Sequence, residues 1–428
     1  MDSRGMDNIT INALKESYAD LWENIQDAFP INLHKYEDDE RAIGDKKLEN
    51  CTNDILRLVR DYSPADGPES DEKWGTALKN TVYGFGTGVA GFSDGNMRML
   101  LTNGFCEPTY EFIRNAREFD EGIRVNDLLQ ALRNVWIMNC FQKLMGLKLE
   151  MTPSILAYSL LYPYTDNYLD ADSISMSKKN KLNNRFERRL AGEQLDAQSK
   201  YESKLYKLVS MIEKQFNRSA FPTVYQSLLA IQTAQSRSLF QQVGRASEKS
   251  HGIFDISMEK GGTSVLADAC LIRGSLTEDE TAFAFGFGIL LQLVDDLQDA
   301  GTDRKSGQCT LFATDVSKTQ SEANLNRVIN FADHILKDVS CFSSADSAQT
   351  LELIRKGVML LIFVAAACNE RMFSEEYLNT MEKYSPCTFR SIRMVSKKVQ
   401  REYGKLRLKL ALMPFEVPMA KAFASGNL

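Results

Sequence analysis

Three histidines, His34, His251 and His334, are scattered along 428 residues. That scarcity excludes a histidine-built metal site or a catalytic triad. The eight cysteines include no CxxC pair, which points to reduced, mostly buried thiols and away from a zinc site or a disulfide framework. Long apolar runs are also missing. The longest, Val358 to Cys368 and Phe283 to Val294, fall short of the ~20 residues that a membrane-crossing helix requires. The N-terminal stretch MDSRGMDNITINALKESYADLW has no apolar core of signal-peptide length. A soluble, cytoplasmic protein without a transmembrane segment is therefore expected. Basic excess is lacking too: the net charge of −6 argues against nucleic acid as a partner.

Helical periodicity is plentiful, whereas alternating β patterns are scarce. With 43% apolar and 25% charged residues, the chain can bury a large core. Ile11, Leu14, Tyr18, Leu21, Trp22 and Ile25 fall close to one helical face, and Pro30 ends that run. A second helix is expected over 39–62, followed by the polar linker SPADGPESDE. Residues 1–65 then form a helical extension packed on the core, and 72–428 form the main helical domain. Gly86 to Gly91 match GxGxxG formally. A dinucleotide site needs a preceding strand, and KWGTALKN reads as helix, so a turn or close backbone packing is expected there. Further helices are expected over 107–120, 125–146, 196–216, 222–245, 318–341, 345–373 and 386–412. Another runs from Pro153, with a kink or break at Pro163. The fold class is all-α, a single bundle.

Chemistry concentrates in AFGFGILLQLVDDLQDAGTDRKSGQCT, Ala284 to Thr310. An apolar half leads into Asp295, Asp296 and Asp299. On a helix Asp295 and Asp299 stack one turn apart. Like charges so close need a cation, and a hard divalent ion with oxygen ligands is the economical one. Arg304 and Lys305 follow, where a metal-held phosphate would need positive partners. Upstream, Asp166 and Asp170 are also four apart, with Asn167 between them and Asp172 just beyond.

These stretches resemble the two aspartate-rich motifs of the class I terpene synthases and trans-isoprenyl diphosphate synthases. Gly288, Gln292, Asp295, Asp296, Asp299, Lys305, Gly307 and Thr310 fill the places of the second motif. DNYLD at 166–170 is similar to the first, with Asn167 in place of its second aspartate, about 125 residues before the second. EKGGTSVLADACLIRG, Glu259 to Gly274, is similar to the family's Lys-Thr helix, with Lys260 as the lysine and Gly261 where threonine is usual. The resemblance implies an isoprenoid-synthase-like bundle with a central cavity. It also implies Mg²⁺ (three ions with substrate bound) on Asp166, Asp170, Asp295, Asp296 and Asp299. Asn167, Gln235, Arg245, Lys260, Arg304 and Lys305 would face a diphosphate. Candidate pocket residues are Tyr158, Tyr162, Phe240, Phe285 and Gln292. The implied substrate is a prenyl diphosphate, and homodimers are common among such enzymes.

The basic run Lys178, Lys179, Lys181, Arg185, Arg188 and Arg189 reads as a diphosphate clamp or as a solvated helix face. The Gly-Lys-Arg-x-Arg-like phrase that binds a second diphosphate in chain elongation is reduced here to Arg133, on a helix with Trp136, Met138 and Phe141. A cyclase acting on one diphosphate is expected first. A chain-elongating prenyltransferase, a head-to-head synthase and a non-catalytic helical partner subunit stay open.

Overall fold

The computed structural model describes residues 8–30, 32–62, 68–101, 104–171, 173–238, 250–314 and 317–412; for a few of these, Asp170 among them, it describes the backbone alone. The described residues form α-helices and no strand. In order they are α1 (Asn8–Asn24), α2 (Asp38–Asp61), α3 (Pro68–Gly88), α4 (Asp94–Leu101), α5 (Cys106–Phe119) and α6 (Val125–Leu144). Then come α7 (Pro153–Asp170), α8 (Met176–Leu190), α9 (Lys200–Gln215), α10 (Pro222–Ser238), α11 (Ser250–Arg273) and α12 (Glu278–Ser306). The chain continues through α13 (Lys318–Ile335), α14 (Ser347–Cys368), α15 (Glu375–Glu382) and α16 (Phe389–Leu412). Among them, none is long and apolar enough to cross a membrane.

The longest helix, α12, has clear start and stop signals. Thr277 and Glu280 form a reciprocal capping box at its N-terminus, and Gly307, at φ 72°, closes its C-terminus in the left-handed conformation. Phe285, Ile289, Leu290 and Leu293 on it are fully buried. Each contributes roughly 1.5–3 kcal/mol of apolar burial, which offsets the cost of carrying acidic residues into the bundle. α12 lies against α11, and α11 against α10. The closest approach is glycine on glycine: a Cβ on Gly288 would overlap the Gly261 carbonyl oxygen, and one on Gly261 would overlap that of Gly288. This explains why glycine occupies position 261.

α1 joins the main core. The Tyr18 hydroxyl donates to the Ala282 carbonyl over 2.7 Å, and Trp22 stacks on Phe254 with ring centroids 4.6 Å apart. The glycines at 86 and 88 lie inside α3, and a side chain at Gly86 would collide with Met97. Close packing thus accounts for the GxGxxG match. Two expectations are corrected. The polar linker is shorter than its composition implies, because α3 already begins at Pro68. At Pro163 the break is what is corrected, since α7 runs on as helix through it. A proline removes one backbone donor, and here packing of α7 against α6 and α9 outweighs that loss.

Candidate functional site

α7, α11 and α12 bring the two acidic motifs together. Lys260 on α11 reaches Asp166 on α7, Nζ to Oδ1 3.5 Å. Arg133 on α6 reaches Asp295 on α12, Nη1 to Oδ1 3.5 Å. Tyr162, one turn before Asp166, feels all four charges; burial first, then Asp166 and Asp295, push its phenol up, while Lys260 and Arg133 oppose them. Asp166, Asp295, Lys260 and Arg133 therefore share one electrostatic environment, although Asp166 and Asp295 are far apart in the chain.

The acidic ladder on α12 is longer than the motif implies. Asp303 continues the four-residue spacing of Asp295 and Asp299, a signal already present in the sequence. Burial pushes the Asp303 carboxyl up to about 6, helped by Asp299 and Asp295, while Thr310 and Lys260 hold it down. Asp299 is likewise raised, by burial and then by Asp295. Asp296 faces the other way. It is 3% exposed and accepts hydrogen bonds from Ser257 over 2.9 Å and Gln292 over 2.8 Å. Burial pushes its carboxyl up to about 7. The Ser257–Asp296 bond thus ties α12 to α11, and Gln292 braces Asp296 from within α12.

That burial has a pH signature. Asp296 and Asp303 hold protons in the folded state well above the usual carboxylate range. The folded protein then binds more protons than the unfolded chain between about pH 4 and pH 7, so stability falls as pH rises through that window. Asp296→Asn is expected to flatten the slope and to raise stability at pH 8 by on the order of a few kcal/mol. Urea denaturation at pH 5 and pH 8 measures it, and an unchanged slope in the variant contradicts it.

The remaining candidates divide. Asn167 donates to Asp127 over 3.0 Å and Gln130 over 3.2 Å, both on α6. Tyr158, Tyr162 and Gln235 line a cavity of about 20 Å³ with Leu161, Phe186 and Leu228, room for about one water. Phe285 is away from it, fully buried with its ring 5.9 Å from Tyr18. Arg304 turns back onto the carbonyls of Phe312, Ala313 and Thr314 at 3.4–3.5 Å, and Lys305 is exposed. Phe240, Arg245, Asp172 and the Asp170 side chain lie outside the described residues.

In the basic run, three arginines meet carboxylates: Arg185 with Glu202, Arg188 with Glu193 and Arg189 with Glu213, at 2.5–2.7 Å. Lys179 differs, being 6% exposed and without an ion pair among the described residues. It lies on the α8 face of Asn183, Phe186 and Leu190, which packs toward the small cavity.

Among the described residues no three acidic, histidine or cysteine side chains converge closely enough to chelate a metal by themselves. Mg²⁺ does not require that, since it takes one or two carboxylates and fills its shell with water and phosphate oxygens. The all-oxygen donor set fits such an ion, as do the carboxyls of Asp299 and Asp303, raised first by burial and then by their acidic neighbours. No family model matches the chain, and no curated protein or solved structure matches it.

Proposed function

We propose that this protein is a Mg²⁺-dependent class I terpene synthase that ionises one allylic prenyl diphosphate. The observation that carries this reading is the meeting of Asp166 and Asp295 around Lys260, Arg133 and Tyr162. Asp166, Asp295, Asp299 and Asp303 would hold the ions, which supply Lewis-acid stabilisation of the departing diphosphate. Lys260 and Arg133 add charge-assisted hydrogen bonds to its oxygens.

The reaction breaks the allylic C–O bond, and both electrons leave with the diphosphate oxygen. The resulting carbocation needs water excluded and an apolar or aromatic wall. Loss of a proton gives a hydrocarbon, and capture of water gives an alcohol. Beside Arg133, α6 exposes Leu129 and Trp136, 49% and 50% accessible, apolar surface next to the charged cluster. The cavity at Tyr158 and Tyr162 admits a prenyl chain only if α8 or α10 moves outward, given its about 20 Å³.

Purified protein incubated with Mg²⁺ and a panel of allylic diphosphates is expected to release diphosphate and form hydrocarbon or alcohol, read by mass. Isopentenyl diphosphate should not be required, and excess chelator should abolish the reaction. Longer diphosphates formed only with isopentenyl diphosphate would replace this reading by chain elongation.

A further inference from the structure

We propose that Arg133 is an exchangeable counter-ion: it holds Asp295 while the site lacks metal, and it transfers to the substrate's diphosphate when metal takes that carboxylate. This rests on the diphosphate reading above and adds an order of events to it.

Among the described side chains, four carboxylates, Asp166, Asp295, Asp299 and Asp303, gather with two cations, Arg133 and Lys260. Their surplus negative charge is what one divalent ion would balance. The two cations are not equivalent. Lys260 is held in the bundle at 23% side-chain exposure, whereas the Arg133 side chain is 57% exposed. Its contact with Asp295 is a single approach at 3.5 Å and not a bidentate fork. An exposed pair of this kind is worth about 1 kcal/mol or less, so the guanidinium can leave at little cost. Metal on Asp295 therefore competes directly with Arg133. Once displaced, the guanidinium remains beside the place where a metal-held phosphate would sit. Its planar donors suit phosphate oxygens better than a lysine does.

A residue with this role shows effects of opposite sign on two ligands. Arg133→Gln is expected to bind Mn²⁺ alone about threefold to tenfold more tightly than the unmodified protein, because a competing charge is gone. With Mg²⁺ present, the same variant should bind inorganic diphosphate about tenfold or more weakly. Arg133→Lys should stay near the unmodified values for Mn²⁺ and fall between the two for diphosphate. Paramagnetic resonance of free Mn²⁺ and calorimetric titration of diphosphate read these quantities without turnover. Melting curves check that all proteins are folded, and the exposure of Arg133 makes Arg133→Gln tolerable. Unchanged Mn²⁺ affinity in Arg133→Gln, or both affinities moving in one direction, overturns the exchange while leaving the diphosphate reading intact. If the unmodified protein binds neither probe, the diphosphate reading falls and the exchange with it.

Discussion

Asp295→Ala is expected to lower turnover of an allylic diphosphate roughly a thousandfold, about 4 kcal/mol of transition-state stabilisation. Asp295 is the carboxylate to which the rest of the site is coupled. It meets Arg133 at 3.5 Å and raises both Asp299 and Asp303. Its removal takes away a metal ligand and the charge that orders its neighbours. The fold should survive, because the lost repulsion with Asp299 compensates for the lost partner of Arg133. Asp296→Asn is the informative contrast. Its side chain faces Ser257 and Gln292, so the neighbouring substitution should cost tenfold or less. Steady-state kinetics with saturating Mg²⁺ tests both. Equal losses in the two variants would contradict the division of roles between adjacent aspartates, and full activity in Asp295→Ala would remove this cluster from the mechanism.

The largest effect on stability is expected from Gly288→Ala. In an exposed helix interior that change gains up to ~1 kcal/mol from propensity. Here the new methyl meets the Gly261 carbonyl and the Gly262 backbone, which cannot rotate aside as a side chain does. α11 and α12 must separate, losing packing along the fully buried Leu266, Ala269, Ile289 and Leu293 and disturbing the Ser257–Asp296 bond. Overpacking of this kind costs about 3 kcal/mol or more when backbone has to move. Gly357→Ala on α14 is the control, since its added Cβ has nothing within 4 Å and should stabilise by ~0.5–1 kcal/mol. Chemical denaturation of both variants reads the difference. A Gly288→Ala protein as stable as the parent would mean that the helices do not cross as closely as described.

Much of the fold was legible because helix formation is local. The apolar spacing of α1 and α12, Thr277 three residues before Glu280, and Gly307 after the last turn depend on neighbours within a few residues. The acidic ladder was legible for the same reason, and its extension to Asp303 needed only one more step of four. Pro163 shows the limit of local rules, because a broken hydrogen bond is cheap when two helices hold the segment.

The sequence by itself determined an all-helical chain, the places of its charge clusters and the donor chemistry they offer. Tertiary structure alone decided which charges meet. Adjacent Asp295 and Asp296 diverge because successive helical residues point about 100° apart, one toward Arg133 and the other into the α11 interface. Arg133, which reads from its neighbours as part of an apolar wall, comes to Asp295 from another helix. Arg304, beside the motif in sequence, instead turns to the loop that follows α12. Spacing along a helix sets direction, but only the packing of α6, α7, α11 and α12 sets what lies in that direction.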